Sequence, residues 1–223
     1  TQTSPPAGQT PASGEQQARA GETKTPVSEM PPDEKALREA SRILDPAKRI
    51  EAFQKFKKDF PKSASVETAD MRILTALAAT MPDQTLRIRE QANLVYRTAG
   101  KDAKGRTAGA IANVLLNASV LLKEAERYAQ MSVDSFNQER YIKEQLASSK
   151  ARKGEPPKRD ELVKRFRESR AASVATLGRI EVELGNEKRG KELLEEARKE
   201  LPANAAVAGA LGELAAKQGE TAL

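Results

Sequence analysis

A glycine-bounded string ending in lysine is the feature of this sequence closest to a nucleotide-binding motif. Residues 185–191, GNEKRGK, match the first seven positions of a phosphate-binding loop, whose backbone N–H groups surround phosphate oxygens. The next position of that motif needs a Ser or Thr hydroxyl for Mg²⁺, whereas this chain has Glu192. The residues before Gly185 also follow helical rather than strand periodicity, so the sequence predicts no nucleotide site.

Positive charge is concentrated in residues 150–170. This segment holds nine Lys or Arg residues against four Asp or Glu, in a chain whose net charge is +6. Two interpretations stay open: a solvated linker with a charged helix face, or a contact for an anionic partner such as nucleic acid or a membrane surface. We favour the first, because nucleic-acid grooves interleave aromatic side chains and the segment has only Phe166, at a spacing typical of the core. The sequence therefore disfavours nucleic acid as the partner.

The chain lacks the residue types on which most catalytic and metal sites depend. Its 223 residues include no Cys, His or Trp. That composition excludes Ser-His-Asp and Cys-His nucleophiles, thiol redox chemistry, and zinc sites built on thiolate or imidazole. Runs of acidic residues, such as Glu195 and Glu196, lie beside Lys or Arg at positions typical of exposed helix faces. We therefore predict a non-enzymatic protein with no catalytic residue, no cofactor and no metal.

The elements that carry these residues are predicted to be helices throughout. Apolar residues recur at three- and four-residue intervals, and no window keeps the alternation of a strand. Proline and N-cap residues mark the boundaries, as at Asp45-Pro46. The sequence predicts an all-α fold of nine helices. Seven of them cover about 33–44, 46–60, 64–80, 83–99, 107–131, 132–149 and 160–184, and two more follow.

Both ends of the chain carry further expectations. Residues 1–32 hold six of the twelve prolines and few large apolar side chains, which predicts a disordered Pro/Ser/Gln-rich leader before a helical domain over 33–223 with a basic linker at 150–159. Such a leader is typical of a chain whose secretory signal has been removed, so we expect export, with a cytoplasmic location still open. The most apolar run, 108–122, is too short and too polar to span a membrane.

A repeat with a 34-residue period is visible near the end of the chain. A Leu-Gly pair and a later glycine each recur at this spacing, with a small residue and a proline between them. Gly178 would allow the next helix to approach closely, and Gly185 would form the turn between the two helices. The residues that carry the repeat are Leu177, Gly178, Gly185, Ala197, Pro202, Leu211, Gly212 and Gly219.

This pattern resembles the tetratricopeptide repeat, a 34-residue pair of antiparallel helices. Residues 171–204 match one whole repeat, and residues 205–223 match an incomplete one, so we expect the natural polypeptide to continue. The resemblance implies a TPR-like α-solenoid, a right-handed superhelix of antiparallel helix pairs. The sequence departs from the family pattern at Val174, Glu181 and Gly190, where the family prefers Trp, Tyr, and Ala or Ser.

The resemblance also implies a protein or peptide partner. In this family the first helix of each pair lines a concave binding surface. Ala175 and Arg179 stand where the family's carboxylate-binding Lys and Asn belong, so that mode is not expected here. The candidate partner contacts on the first helices are Arg179, Glu183, Glu213 and Lys217.

A wider resemblance covers residues 33–223 and rests on LLKEAERYA at 121–129, on the helix ending at Gly185, and on the final ALGELAAKQGE. These segments are similar to exported bacterial proteins in which a tetratricopeptide-like region precedes a thioredoxin-fold (redoxin or thiol-disulfide reductase) domain. The resemblance implies a periplasmic or cell-envelope location and a downstream redox domain.

The sequence thus predicts a non-enzymatic protein–protein interaction scaffold. Two alternatives remain: a purely structural spacer, and a binder of nucleic acid or an anionic surface through residues 150–170.

Overall fold

The computed structural model describes residues 30–151, 155–217 and 219. Within these residues every regular element is an α-helix, which confirms the all-α prediction. The ten helices are α1 (Pro32–Arg42), α2 (Pro46–Asp59), α3 (Val66–Thr80), α4 (Thr85–Thr98), α5 (Lys104–Asn117), α6 (Leu122–Asp134), α7 (Gln138–Ala151), α8 (Arg159–Glu183), α9 (Glu187–Glu200) and α10 (Ala205–Lys217).

Three helices begin at side-chain caps that the sequence itself supplies. The Asp45 carboxylate accepts a hydrogen bond of 2.8 Å from Lys48 N, and Pro46 takes the first position of α2, where an N–H would have no helical partner. Asn137 before α7 and Asn204 before α10 each accept a hydrogen bond from the backbone N–H three residues on. Local chemistry therefore sets where these helices start.

The predicted single helix over 107–131 is wrong. The chain turns at residues 118–121 and forms α5 and α6, so ten helices are described where nine were expected. Ser119 and Leu121 have φ angles of 50° and 49°, a left-handed conformation that residues with side chains rarely adopt. No glycine or proline marks this turn in the sequence, and Val120 between them is buried in the core. The helix predicted over 132–149 accordingly begins later, as α7.

Consecutive helices pack against one another in pairs. In the pair α5–α6, the first helix also contacts α3 and α4. In the pair α8–α9, the first helix also contacts α5 and α6, and α10 contacts both α8 and α9. The first helices α3, α5, α8 and α10 thus form a continuous row, while α7 stands outside this alternation and packs mainly on α8.

Two clusters of buried side chains hold the helices together by removing apolar surface from water. The larger cluster is built from α1 to α6 and also includes Leu177 and Ile180 of α8. The smaller cluster joins α8, α9 and α10 through side chains such as Val174, Leu194 and Leu214. Because α8 contributes to both clusters, it connects the repeat near the end of the chain to the remaining helices.

Gly178 and Gly190 lie where α8 and α9 approach each other. A Cβ on Gly178 would lie 3.0 Å from Leu194 Cγ, and a Cβ on Gly190 would lie 2.6 Å from Val182 Cγ2 and 2.9 Å from Gly178 O. The close approach predicted at Gly178 is therefore present. Gly190, which departs from the family pattern, belongs to the same contact.

The other repeat positions have unlike surroundings. Gly185 has a φ of 83° and turns the chain between α8 and α9, and Gly219 has a φ of 70°. Ala197 is fully buried. A Cβ on Gly212, the equivalent of Gly178, would meet no neighbouring atom of the described residues within 4 Å. The described residues thus show no close helix approach at Gly212.

The structure describes the ends of the chain and the predicted linker only in part. Residues 1–29 of the predicted leader and 152–154 of the predicted linker lie outside the described residues. The connection between α7 and α8 is shorter than the predicted linker at 150–159, because α7 continues to Ala151. Among the described helices, none combines the length and apolarity needed to cross a membrane.

Candidate functional site

A groove of about 780 Å³ lies where α5, α7 and α8 come together. Residues of α6 contribute to its lining, and Asn204 and Ala206 reach it from the start of α10. Its volume is typical of ligand sites in proteins. The groove follows the first helices α5, α8 and α10, with α7 added beside them.

Small residues on α5 and α6 line this groove where the two helices pack closely. A Cβ on Gly105 would overlap the Ser135 side chain, and a Cβ on Gly109 would lie 2.8 Å from Ser132 Oγ. Ser132 Oγ in turn lies 3.2 Å from Ser173 Oγ on α8. The residues that bring α5, α6 and α8 close together therefore also line the groove.

Asn113 extends the polar lining by one helical turn. Its Oδ1 accepts a hydrogen bond of 3.2 Å from Thr176 Oγ1, and its Nδ2 donates one of 3.0 Å to Gly109 O. A primary amide has two donor hydrogens and a carbonyl oxygen with two lone pairs, so Asn113 keeps unused hydrogen-bonding capacity. The groove thus presents donors and acceptors along the junction of α5 and α8.

Three aromatic rings meet where α7 packs on α8. The ring centroids of Phe136 and Phe166 are 5.7 Å apart in an edge-on arrangement, and those of Tyr141 and Phe166 are also 5.7 Å apart. Phe166 is 8% exposed, in keeping with the core position that its spacing predicted. The rings hold α7 against α8 and give the groove an apolar portion.

The charged lining of the groove is mainly positive. It consists of Lys101, Lys104, Arg106, Arg140 and Arg179 with the carboxylates of Asp102 and Glu144. Arg140 forms ion pairs with both carboxylates, and its Nε lies 2.7 Å from Glu144 Oε1. Lys104 Nζ lies 4.9 Å from the centre of the Tyr96 ring. The other three cations have no ion-pair partner among the described residues.

Arg140 connects α7 to the loop before α5. Its hydrogen bond to Glu144 and the charge of Asp102 raise the pKa of the Arg140 guanidinium above its ordinary value. An arginine is already protonated at every pH of biological interest, so Arg140 stays positively charged in these ion pairs. As a result, Asp102 and Glu144 each have an ion-pair partner in the groove wall, and one of their two negative charges is offset.

The structure brings one of the four predicted partner contacts to the groove. Arg179 lines it, half-buried on α8. Glu183, one turn further along α8, is exposed and is not part of the lining. Glu213 and Lys217 are exposed on α10, also away from the groove. The four residues therefore do not form a single site.

Sequence reasoning missed the contributions of α5 and α7. For α5 a signal exists: Gly105, Gly109 and Asn113 recur every four residues and so share one helix face. For α7 no comparable pattern is present, because its position depends on the Tyr141 ring and on the ion pair of Arg140 with Asp102, 38 residues earlier in the chain.

The basic segment 150–170 lies largely on the surface of α8, and several of its cations are paired. Arg159 Nη2 lies 3.0 Å from Glu139 Oε1, and Arg170 Nη1 lies 2.7 Å from Glu196 Oε1. These pairs connect α8 to α7 and α9. Such an arrangement is typical of a solvated helix face, the first of the two interpretations of this segment.

Two carboxylates are buried among the described residues, and both are engaged in helix packing. Asp70 pairs with Lys57 and accepts a hydrogen bond of 3.1 Å from Gln91 Nε2. Glu181 Oε1 lies 2.9 Å from Arg189 Nε across the α8–α9 turn. Buried charges need such partners to offset their lost hydration. The described residues contain no group of three or more carboxylates placed to hold a metal ion.

Comparison with known proteins assigns this chain to no family. The tetratricopeptide resemblance stays a prediction from the sequence, and the groove carries the functional argument. The chain matches no known family model, no curated protein and no solved structure.

Proposed function

We propose that this protein is a non-enzymatic interaction scaffold that binds an extended segment of a partner protein in the groove between α5, α7 and α8. The observation that carries the proposal is the groove itself, about 780 Å³ in volume and lined by small, polar and cationic side chains. Such a groove can bind an extended peptide, because its apolar, hydrogen-bonding and charged parts can each contact a different side chain of that peptide.

The lining suits the backbone of an extended segment. Each backbone N–H and C=O of a bound peptide needs a hydrogen-bond partner once it leaves water. Asn113, Thr176 and Ser173 supply donors and acceptors along this lining. The rings around Phe166 offer a place for an apolar side chain of the partner.

The packing of the helices supports the same proposal. In the row α3, α5, α8 and α10, each first helix contacts the next, as in helical repeats that stack into a superhelix. We propose that this row is the concave side of a right-handed, tetratricopeptide-like superhelix, with α7 as an inserted wall. Arg179, predicted from the repeat register, would then face the partner.

Sequence resemblance alone supports the proposed setting. On that basis the chain would belong to an exported bacterial protein in which a thioredoxin-fold domain follows the helical region. The helical region would dock a partner, and any redox chemistry would reside in that other domain. A purely structural spacer, the main alternative, has no use for a polar groove.

Filling the groove tests the proposal. A display library of random 12-residue peptides is selected against the full chain, and enriched peptides are measured by fluorescence anisotropy. Ala172 is exposed and lines the groove, so Ala172→Trp occupies the space without entering the core. We expect peptide affinity to fall by about tenfold or more. Ala208→Trp, exposed on α10 outside the groove, is the matched control and should leave affinity unchanged.

The spacer alternative makes the opposite prediction. It is favoured if the library yields no enriched peptide, or if the enriched peptides bind Ala172→Trp as tightly as the natural sequence. Circular dichroism of both Trp variants checks that the helical fold is retained.

A further inference from the structure

We propose that the segment bound in the groove is acidic, with Asp or Glu side chains that meet Lys101, Arg106 and Arg179. This inference rests on the proposed function and adds the chemical class of the partner. All three cations line the groove, and none has an ion-pair partner among the described residues. The two carboxylates of the lining, in contrast, are both bound by Arg140.

This distribution of charge favours anionic side chains. A carboxylate that enters the groove exchanges water for guanidinium or ammonium donors, and such charge-assisted hydrogen bonds are stronger than neutral ones. The attraction also exceeds that in bulk water, because the groove wall is protein of lower dielectric constant. A basic segment would be repelled by the same three cations. Arg140 matters here, since it pairs with both carboxylates and offsets one of the two negative charges that would otherwise repel an acidic partner.

The three cations come from separate elements. Lys101 lies in the loop before α5, Arg106 lies in the first turn of α5, and Arg179 lies near the end of α8. A single small anion is best held by donors that converge on one point. Cations distributed along a groove instead suit a chain that carries several carboxylates.

The same lining is poorly suited to nucleic acid. Base stacking needs open ring faces, whereas Phe166 is 8% exposed and the rings of Phe136 and Tyr141 pack on it. Between the cations the groove presents Ser, Thr and Asn side chains, together with Asp102 and Glu144. A continuous phosphate track would require more cations along its path.

The peptides selected from the random library test the charge of the partner. We expect them to be enriched in Asp and Glu. The strongest binder is synthesised together with a version in which Asn replaces Asp and Gln replaces Glu, which keeps the shape and removes the charge. The amide version should bind about tenfold more weakly, and the difference should shrink as ionic strength rises from about 0.05 M to about 0.3 M.

Variants of the protein locate the effect in the groove. Arg179→Ala and Arg106→Ala should each weaken binding of the acidic peptide by about five- to tenfold. Arg167→Ala is the matched control: it removes the same charge from the same helix as Arg179, at an exposed position outside the groove. Its affinity for the peptide should equal that of the natural sequence.

The outcomes separate this inference from the proposed function. Neutral or basic selected peptides that lose affinity in Ala172→Trp would overturn the acidic partner and leave the scaffold in place. If no selected peptide is sensitive to Ala172→Trp, both proposals fail. A 12-nucleotide single-stranded oligo-dT that binds more tightly than the peptide, and depends on Arg179, would overturn the acidic segment in favour of nucleic acid.

Discussion

The helix pairs α5–α6 and α8–α9 both pack closely through glycine, but against different neighbours. In α8–α9, Gly178 and Gly190 lie against each other. Leu and Val side chains also contact them, so the surroundings of this helix contact are mainly apolar. In α5–α6, Gly109 faces the hydroxyl of Ser132, which also lines the groove. A helix contact that only stabilises the fold excludes water, whereas one that borders a binding surface uses side chains compatible with water.

The comparison also shows what makes a glycine hard to replace. A Cβ on Gly190 would lie 2.9 Å from the backbone oxygen of Gly178, and helix backbone at this contact moves only if one helix shifts away from the other. A Cβ on Gly105 would overlap both Oγ and Cβ of Ser135, so the backbone of Ser135 must shift to admit it. Ser135 lies just past the end of α6, where the chain is not held between two helices. The two pairs should therefore respond differently to the same added methyl group.

Gly190→Ala should have the largest effect on stability. The added Cβ would overlap Val182 Cγ2 and the Gly178 carbonyl, and overpacking of this kind costs about 1–3 kcal/mol of unfolding free energy. Urea unfolding monitored by circular dichroism measures the loss. Gly209→Ala, at an exposed helical position with no neighbour within 4 Å, is the control. Equal stability of Gly190→Ala and the natural sequence would show that α9 is free to move away from α8.

Gly105→Ala should destabilise the fold less, by about 1 kcal/mol, since overpacking costs less where a neighbour can shift. The double variant Gly105→Ala/Ser135→Gly removes the overlapping side chain and should recover most of the loss. Ser135→Gly alone gives the cost of losing the 2.7 Å hydrogen bond from Ser135 Oγ to Ser132 O. A double-mutant cycle from urea unfolding measures the coupling, and simple additivity would mean that the two residues do not touch.

Gly212→Ala should increase the stability of the fold, whereas Gly190→Ala and Gly105→Ala should decrease it. This position is equivalent to Gly178 in the repeat, but a Cβ there would meet nothing within 4 Å. Replacing an unconstrained helical glycine with alanine should stabilise the helix by about 0.5–1 kcal/mol. Thermal unfolding of Gly178→Ala and Gly212→Ala, measured side by side, checks the difference. A loss of stability in Gly212→Ala would contradict the open surroundings seen for that residue.

Arg140→Ala should change stability least, by no more than about 0.5 kcal/mol, because exposed ion pairs contribute little. Its effect should appear in binding instead. Loss of Arg140 leaves Asp102 and Glu144 unpaired in the groove, so the acidic peptide should bind several-fold more weakly in the anisotropy assay. Arg170→Ala, which breaks a solvent-accessible ion pair with Glu196 on α9 and outside the groove lining, should leave peptide affinity unchanged.

Local patterns were sufficient for most of the helices. The Asp45-Pro46 boundary is present as predicted, because an N-cap and a first-turn proline act within a few residues of each other. The turn between α5 and α6 was not predicted, since Ser119 and Leu121 adopt left-handed angles that their own side chains disfavour. That cost is tolerated only when the packing of two whole helices offsets it.

The candidate site was less predictable than the fold. Arg179 was placed on a partner-facing helix by the repeat register, and it does line the groove. The other predicted contacts rested on the assumption that first helices present equivalent residues along one surface. Helix α7 packs on α8 and changes the surface there, and no local pattern in the sequence predicts that position.

The amino-acid sequence by itself determined the helical class, several helix boundaries and the lack of Cys and His chemistry, because each depends on composition or on neighbours within about one helical turn. Only the tertiary structure decided which side chains meet. Asn113 and Thr176 are 63 residues apart and hydrogen-bond across α5 and α8. Contacts of that kind form only after helices pack, so the groove, its charge and the position of α7 are properties of the folded chain.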